Sequence, residues 1–234
     1  GQISDMRILL LLMLACSTAS AHPGGLDAHG GHTDRRSGNY HCHRDPCLSN
    51  QRQQDEALRE AQQQQRPFSL LYDRADWPHW LDDDGNCRDT RAEILIRTSR
   101  VAVTFRDRNQ CVVKSGEWLD PYSGRLVHQA SALDIDHLVP LKHAHGHGGH
   151  AWPGAQRQRF ANDPDNLVPV SASLNRAKGS GSPDQWRPPN RGYWCEYGRR
   201  WQDIKQRYAL MVTAPEQAAV DELLSHCPRL GATP

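Results

Sequence analysis

Two short segments of alternating apolar and polar residues lie on either side of a polar turn at residues 107–110. Residues 101–105 are Val-Ala-Val-Thr-Phe and residues 111–114 are Cys-Val-Val-Lys. Alternation of β-branched side chains, bounded by turn residues, is typical of paired strands and predicts a β-hairpin here. Two further apolar segments, residues 133–139 and 166–170, predict two more strands.

Helices are predicted where capping signals precede apolar residues at helical spacing. Thr90 with Glu93, and Thr213 with Glu216, have the Thr-x-x-Glu spacing of a capping box. The predicted helices cover residues 91–99, residues 199–210, with Gly198 marking the start, and residues 213–225. A further short helix begins at Ser171 or Ser173 and ends at Gly179. Short strands and helices mixed without regular βαβ alternation indicate an α+β fold.

The first 21 residues have the composition of a secretory signal peptide. A Met-Arg pair at residues 6–7 precedes an apolar run at 8–15, and Ala-Ser-Ala follows at 19–21. This order is typical of a cleaved signal, and the run is shorter than the ~20 residues of a membrane-spanning helix. We therefore expect a periplasmic or extracellular protein; a lipid anchor on Cys16 is the disfavoured alternative.

Composition divides the rest of the chain into a His- and Gly-rich segment, a Gln-rich linker, a longer segment that regains aromatic and aliphatic residues, and a tail. In order, these are residues 22–47, 48–66, 67–228 and 229–234. The chain has 28 Lys and Arg against 27 Asp and Glu, and its mean hydropathy is −0.76. These values exclude a polybasic tail protein and a multi-span membrane protein. The return of aromatic and aliphatic residues places one folded domain in the third segment.

The cysteines that follow the signal peptide are Cys42, Cys47, Cys87, Cys111, Cys195 and Cys227. An even number in a secreted chain predicts three disulfides, although six cysteines allow fifteen pairings. Nearest neighbours along the chain would pair Cys42 with Cys47, Cys87 with Cys111, and Cys195 with Cys227. The alternative for the first pair is a Cys/His zinc site.

Residues able to bind a metal ion and to accept a proton are concentrated in the second half of the chain. Asp136 and His137 lie at the end of one predicted strand, and Asn166 begins the next. Asn175 and Lys178 are three residues apart on the short helix, so they share a helix face. A carboxylate beside an imidazole offers a hard metal ligand next to a general base. A strand–loop–strand–helix unit can therefore bring these groups to one point.

At these residues the chain resembles the HNH endonucleases, also called ββα-metal or His-Me finger nucleases. The resemblance is carried by Asp-Ile-Asp-His-Leu-Val-Pro at 134–140, Asp-Asn-Leu-Val at 165–168 and Asn-Arg-Ala-Lys at 175–178. Over about residues 68–227 the chain is similar to the C-terminal nuclease domain of GmrSD-type restriction enzymes and its secreted relatives. The resemblance implies a ββα-metal finger embedded in a small disulfide-stapled domain with C-terminal helices.

The resemblance also implies catalytic roles. His137 would be the base that activates water, Asn166 would brace the loop that orients the His137 backbone, and Lys178 would bind the phosphate or its transition-state charge. Because the base works only as neutral imidazole, activity is expected to fall below about pH 6.5, the pKa of the free group.

Asp136 and Asn175 are the implied ligands of one divalent cation. Asp134, two residues from Asp136 on the same strand face, is a supporting or additional ligand. All these donors are oxygens, which favours Mg²⁺ or Mn²⁺ over Zn²⁺. The expected substrate is nucleic acid, DNA above all, with low sequence specificity. Residues 157–207 contain ten Lys and Arg against five Asp and Glu, and a basic surface binds the phosphate backbone.

Two groups of histidines lie outside this site. The N-terminal group resembles the small YHYH module of secreted bacterial proteins, with Gly31 at a position where a Cys is expected. His32, His41 and His43 are candidate structural zinc ligands there. The second group, four histidines in a Gly-rich stretch at residues 143–150, is expected to be a flexible insertion, with metal binding as the alternative.

These observations favour a secreted, metal-dependent endonuclease that hydrolyses phosphodiester bonds. Two alternatives stay open. One is a nucleic-acid-binding protein on an inactive HNH scaffold, and the other is a periplasmic protein that binds metal through its histidines. The presence of Asp136, His137 and Asn175 counts against the inactive scaffold.

Overall fold

The computed structural model describes residues 25–33, 40–64 and 66–228, which form two compact units divided between Leu48 and Ser49. The predicted signal peptide and the C-terminal tail lie outside the described residues. Within the described part of the chain, no helix combines the length and the apolar character needed to cross a bilayer.

The first unit contains a two-stranded antiparallel sheet of β1 (Gly31–Thr33) and β2 (Tyr40–Cys42). A disulfide joins Cys42 to Cys47, where helix α1 (Cys47–Gln63) begins. The helix runs through most of the Gln-rich segment that the sequence predicts to be a linker. Gln, Glu, Arg and Ala all have good helix propensity, so this segment is helical although it has few apolar side chains.

The second unit contains most of α1, which continues beyond Ser49, and the remaining strands and helices. The strands are β3 (Thr104–Phe105), β4 (Val113–Asp120), β5 (Arg125–Gln129), β6 (Leu133–His137) and β7 (Leu167–Ser171). The helices are α2 (Thr90–Thr98), α3 (Leu141–Gly146), α4 (Gly154–Ala161), α5 (Ala172–Lys178), α6 (Trp194–Arg207) and α7 (Ala214–Ser225). The predicted α+β class is confirmed.

The predicted hairpin forms the first two strands of an antiparallel sheet in the order β3–β4–β5. Helix α2 packs against this sheet, where the buried Trp118 of β4 donates its indole N–H to the Leu95 carbonyl at 2.8 Å. The cap of α2 is Asp89, one residue before the predicted Thr90. Asp is at least as good an N-cap as Thr, and the Thr90 hydroxyl donates instead to Asn162 at 2.7 Å.

The second unit has two clusters of buried apolar side chains, and we call the larger one the larger core. Helices α6 and α7 pack on each other and contribute to the larger core. The capping box of Thr213 and Glu216 is confirmed, with both reciprocal hydrogen bonds present. Helix α6 begins at Trp194, earlier than predicted, and Gly198 lies inside it. A Cβ on Gly198 would be 3.0 Å from the Leu223 side chain of α7. The glycine therefore marks a close approach of two helices and not a helix start.

Two disulfides staple the second unit. Cys87 pairs with Cys111, joining the segment before α2 to the β3–β4 turn, and Cys195 pairs with Cys227, joining α6 to the end of α7. With the bond in the first unit, the six described cysteines form the nearest-neighbour pairs. The closed loops span 24 and 32 residues, for which loop-closure entropy gives about 3–4 kcal/mol of stabilisation each.

Between β6 and β7 the chain makes an excursion through α3 and α4. Leu141 of α3 and Phe160 of α4 are buried in the larger core. The buried histidines of this excursion are His143, His145 and His147. The prediction of a flexible insertion is therefore wrong, because buried apolar residues on either side of the histidines attach the segment to the core.

Candidate active site

Strands β6 and β7 and helix α5 form a ββα unit. The two strands pair antiparallel, with Asp136 opposite Val168 and His137 opposite Leu167. Helix α5 follows β7 directly and carries Asn175. Asp136, His137 and Asn175 line one cavity of about 270 Å³, which we call the active-site cavity.

The His137 ring is only 5 % exposed and is held by its Nε2 nitrogen. Nε2–H donates to the Ala161 carbonyl at 2.8 Å. Because a carbonyl can only accept, the neutral ring carries its proton on Nε2 and a lone pair on Nδ1. No group among the described residues hydrogen-bonds to Nδ1. Burial lowers the pKa of His137 to about 3, so the imidazole is in its basic form at neutral pH.

Asn166 is fully buried and holds the chain that leaves β6. Its Oδ1 accepts from the Val139 N–H at 2.8 Å, and its Nδ2 donates to the Val139 carbonyl at 3.1 Å. Its own carbonyl accepts from the Leu138 N–H at 2.7 Å. The structure thus places Asn166 as a brace for the two residues that follow His137.

Asp136 is buried against Tyr122 and Lys178. The Tyr122 hydroxyl donates to Oδ2 at 2.6 Å, while Lys178 Nζ lies 2.7 Å from Oδ2 and 3.1 Å from Oδ1. Burial raises the pKa of Asp136, and the Lys178 ammonium and the Tyr122 hydroxyl oppose that rise. An ionised carboxylate has about four lone-pair positions, so these three contacts leave one position on Oδ1.

Lys178 does not line the active-site cavity. Its side chain is buried, and Nζ also donates to the His137 carbonyl at 2.9 Å. The sequence-based role of Lys178 in binding phosphate does not fit this placement. Its ammonium is the counter-ion of Asp136 and ties α5 to the end of β6.

Asp134 contacts Asn175 instead of the cavity. Asn175 Nδ2 donates to Asp134 Oδ2 at 3.0 Å, which fixes the orientation of the amide. The amide oxygen Oδ1 makes no hydrogen bond within the described part of the chain. Because Asn175 lines the cavity and Asp134 does not, Asp134 is a positioning residue for Asn175.

Two cations that the sequence analysis did not single out, Arg74 and Lys142, also line the active-site cavity. Arg74 lies in a short 3-10 turn (Arg74–Asp76) and its Nη2 donates to His79 Nε2 at 3.3 Å. Two positive charges beside an imidazole and a carboxylate suit a phosphate anion. Charge alone could not have identified them among the 28 Lys and Arg of the chain.

Tyr122 is the third residue whose part in the site was missed. Asp120 holds it in a turn, accepting from the Tyr122 N–H at 2.9 Å and from the Ser123 hydroxyl at 2.7 Å. Gly124, at φ 74°, allows the turn to close. An aromatic residue more often fills a core than serves a site, and only the hydroxyl contact with Asp136 distinguishes this one.

The residues present fit a divalent cation with oxygen ligands. Asp136 has one lone-pair position on Oδ1, and Asn175 offers its amide oxygen at the same cavity. Hard cations such as Mg²⁺ take oxygen ligands and keep several waters, so two protein donors are sufficient.

The candidate zinc ligands of the first unit lie near one another. His32 Nε2 and His43 Nε2 are 3.4 Å apart, and the His41 ring centroid is 6.2 Å from that of His32. Zinc binding by these three residues stays a prediction.

Comparison with protein families gives a match to the C-terminal domain of GmrSD restriction endonucleases over residues 89–220. That match covers more than half of the chain. The protein belongs to the GmrSD C-terminal domain family. Membership makes it a nuclease-family protein, and a restriction-endonuclease family suggests a nucleic-acid substrate and a divalent metal. Arg74 lies outside the matched residues, so this part of the cavity is contributed by the chain that precedes the family match.

An uncharacterized secreted protein of Arthroderma benhamiae is 40 % identical over 158 residues, which are 67 % of this chain and 76 % of that protein. No solved structure matches the chain with significance.

Proposed function

We propose that this member of the GmrSD C-terminal domain family is a secreted, metal-dependent HNH endonuclease that hydrolyses phosphodiester bonds, with DNA as the expected substrate. The observation that carries the proposal is the placement of His137. Its Nε2 is anchored on the Ala161 carbonyl, while the ring lines a cavity with Asp136 and Asn175. A general base needs a free lone pair within reach of water, and Nδ1 has an unused lone pair on a ring that lines the cavity.

In the proposed reaction His137 Nδ1 takes a proton from water. The water oxygen forms a bond to phosphorus as the bond from phosphorus to the 3′ oxygen breaks in line, and the departing oxygen takes a proton from solvent. A divalent cation held by Asp136 and Asn175 would polarise the phosphoryl oxygens and stabilise the leaving oxygen. Arg74 and Lys142 bind the non-bridging oxygens and orient the phosphate.

Low sequence specificity follows from the kind of contact that the cavity offers. Arg74 and Lys142 would contact the phosphate, and phosphate contacts position a nucleic acid without reading its bases. Arg176, exposed on α5 beside the cavity residue Asn175, adds a further cation to this surface.

Secretion and domain organisation are part of the proposal. The Arthroderma benhamiae relative is described as secreted, and disulfides persist in oxidising compartments. We propose a signal peptide at 1–21, a His-rich module at 22–47 with a candidate structural Zn²⁺, and a nuclease domain at 67–228, in a periplasmic or extracellular protein.

A plasmid-nicking assay with the full chain tests the proposal. Supercoiled DNA is incubated with Mg²⁺, with EDTA, and with two variants, His137→Ala and His128→Ala. His128 is exposed on β5 and serves as the matched control. We expect the wild type and His128→Ala to nick with Mg²⁺ only, and His137→Ala to lose at least about 100-fold in rate.

Equal nicking by His137→Ala, or nicking that persists in EDTA, would contradict the proposal. Retention of DNA without cleavage would support the inactive-scaffold alternative. Cleavage of an RNA substrate, measured under the same conditions and with the same variants, decides between DNA and RNA.

A further inference from the structure

A short run of large apolar residues leads into the turn that brings Arg74 to the active-site cavity. Leu70 and Leu71 are 53 % and 54 % exposed, and Tyr72 is partly exposed. Tyr72 lines the active-site cavity, as does Arg74 in the turn that follows. We call residues 70–72 the apolar segment.

The exposure of the apolar segment is unusual for this molecule. Among the described residues, Leu70 and Leu71 are the most exposed of the large apolar side chains and the only two that are consecutive in sequence. Single apolar side chains are common on protein surfaces, whereas a group of them beside a cavity is typical of a binding surface. The segment precedes residues 89–220, so family membership does not account for it.

The apolar segment is fixed on helix α3. The Phe68 N–H donates to the Gly146 carbonyl at 2.6 Å, and His145 Nε2–H donates to the Leu70 carbonyl at 3.1 Å. The Tyr72 ring meets the His145 ring edge to face, with 5.7 Å between the centroids. Because these contacts hold the chain on both sides of Leu71, the exposed side chains have a fixed position beside the cavity.

Leu71 has a backbone conformation that leucine rarely adopts. Its φ is 61°, in the left-handed region where a Cβ crowds a neighbouring carbonyl oxygen. Glycine would adopt this conformation without strain, yet the chain has a large side chain here. Strained residues of this kind cluster at binding sites. The strain therefore indicates a use for the Leu71 side chain at the surface.

The surroundings of Tyr72 combine an apolar ring with positive charge. Arg74 and Lys142 line the same cavity. Burial raises the pKa of Tyr72, and the nearby Arg74 guanidinium opposes that rise, so the two side chains lie close together. A ligand that fits must present an anionic group to the cations and a flat apolar face to the ring. A nucleotide does both, with its phosphate and its base.

Stacking of a base on Tyr72 limits the form of the nucleic acid. In a duplex both faces of a base are covered by its neighbours, so a protein ring can stack only on a base that is unpaired or has left the stack. Leu70 and Leu71 offer apolar surface to the next nucleotide, since apolar side chains contact and separate unstacked bases.

We propose that Tyr72 is the stacking platform for the nucleobase next to the scissile phosphate, extended by Leu70 and Leu71, and that the substrate is an unpaired strand. This inference rests on the proposed function, because it takes the cavity of His137 as the place of hydrolysis. Stacking tolerates every base, which agrees with low sequence specificity. Negative supercoiling favours local opening of a duplex, so a supercoiled plasmid is also a substrate.

Binding to the full chain is measured by fluorescence anisotropy in Ca²⁺, which prevents turnover. The probe is a labelled DNA oligonucleotide, used as a single strand and as a duplex with its complement. The variants are Tyr72→Ala, Tyr72→Phe and Leu71→Gly, with Leu126→Ala, exposed on β5, as the matched control. Leu71→Gly removes the side chain and relieves the backbone strain, so weaker binding by this variant does not arise from a strained fold.

We expect the wild type to bind the single strand more tightly than the duplex. Tyr72→Ala should weaken single-strand binding about 5–150-fold, with a smaller loss on the duplex, and Leu71→Gly should weaken it less than Tyr72→Ala does. Tyr72→Phe keeps the ring and should bind as the wild type and Leu126→Ala do. Equal losses on single strand and duplex, or no loss in folded Tyr72→Ala, would overturn the proposal.

Circular dichroism reports whether Tyr72→Ala is folded. If it is not, the wild type gives the answer. A single strand that contains iodouracil is irradiated in the Ca²⁺ complex, and the cross-linked peptide is identified by mass spectrometry. A cross-link at Tyr72 supports the platform, and cross-links only elsewhere overturn it.

Cleavage with Mg²⁺ is measured separately, so that the two proposals can fail independently. A cross-link at Tyr72 without cleavage would reject the nuclease and keep the stacking surface. Cleavage by the wild type, with cross-links only elsewhere, would reject the platform and keep the nuclease.

Discussion

Asn175 Nδ2 donates to Asp134 Oδ2 at 3.0 Å, joining helix α5 to strand β6. The contact orients the Asn175 amide, whose oxygen is a proposed metal ligand. Because the amide nitrogen is bound to Asp134, the amide does not flip to present its nitrogen to the cavity in place of its oxygen. A carboxylate two residues before Asp136 would therefore act on the proposed metal site through a neighbour. Supporting contacts of this kind affect metal affinity without touching the metal.

Asp134→Ala is expected to weaken activation by Mg²⁺ about 10–100-fold while the fold is kept. Without its partner the Asn175 amide can rotate, so the Mg²⁺ concentration for half-maximal nicking should rise more than the maximal rate falls. Asp221→Ala, on the exposed face of α7, is the control. An unchanged Mg²⁺ requirement in Asp134→Ala would contradict this role.

The pH dependence of activity should differ from that of free imidazole. Burial lowers the pKa of His137 to about 3, so the base stays neutral well below about pH 6.5, the value expected from the free group. We expect the nicking rate at saturating Mg²⁺ to show no loss with an apparent pKa near 6.5. A loss centred there would mean that the ring is solvated in the working enzyme.

The lowered pKa of His137 protects the proposed activity at acidic pH but reduces the stability of the fold there. Below about pH 6.5 His137 is protonated in the unfolded chain but stays neutral in the folded protein. The stabilising contribution is therefore complete above that pH and decreases as the pH falls toward about 3. Urea unfolding between pH 7 and 5 should show a smaller loss of unfolding free energy in His137→Ala than in the wild type. Identical losses would contradict the shift.

Arg74→Ala and Lys142→Ala should weaken DNA binding with little effect on base preference. Each removes one phosphate contact, so the slope of log affinity against log salt should decrease by about one. Binding is measured by fluorescence anisotropy in Ca²⁺ to prevent turnover, with the exposed Arg108→Ala as control. Slopes equal to that of Arg108→Ala would exclude phosphate contacts.

Lys178→Met should destabilise the fold much more than Arg176→Ala on the same helix. Removing the ammonium leaves Asp136 buried without its counter-ion, which costs about 3–5 kcal/mol. Arg176 is exposed, and its loss should change stability by no more than about 0.5 kcal/mol. Urea denaturation measures both. Equal stability of the two variants would contradict the counter-ion role of Lys178 and favour the phosphate-binding role predicted from the sequence.

The local elements of the fold were predictable where a short signal determines them. The Thr213–Glu216 capping box begins α7 as predicted, and the segments around His137 and Asn166 form the paired strands. The start of α6 was missed because Gly198 has the sequence signature of a helix boundary, whereas its role depends on α7 approaching it. Such a role exists only after the chain has folded.

The candidate site was predictable in its ββα residues and not in its surroundings. Asp136, His137 and Asn175 form an ordered pattern along the chain, and the structure brings them to one cavity. Arg74 and Tyr122 come from segments far from that pattern, and neither differs by type from many residues elsewhere. Long-range packing decides their roles, which a single sequence does not reveal.

The Ala161 carbonyl that anchors His137 belongs to α4, in the excursion that separates the two strands of the finger. Pairing of those strands alone would leave the imidazole free to turn or to exchange its proton between nitrogens. In the proposed mechanism the ring can act as a base only when α4 has packed in place, so the proposed hydrolysis requires a completely folded domain. On this proposal, a nascent chain or a proteolytic fragment that keeps the motif but lacks this excursion would not cleave nucleic acid.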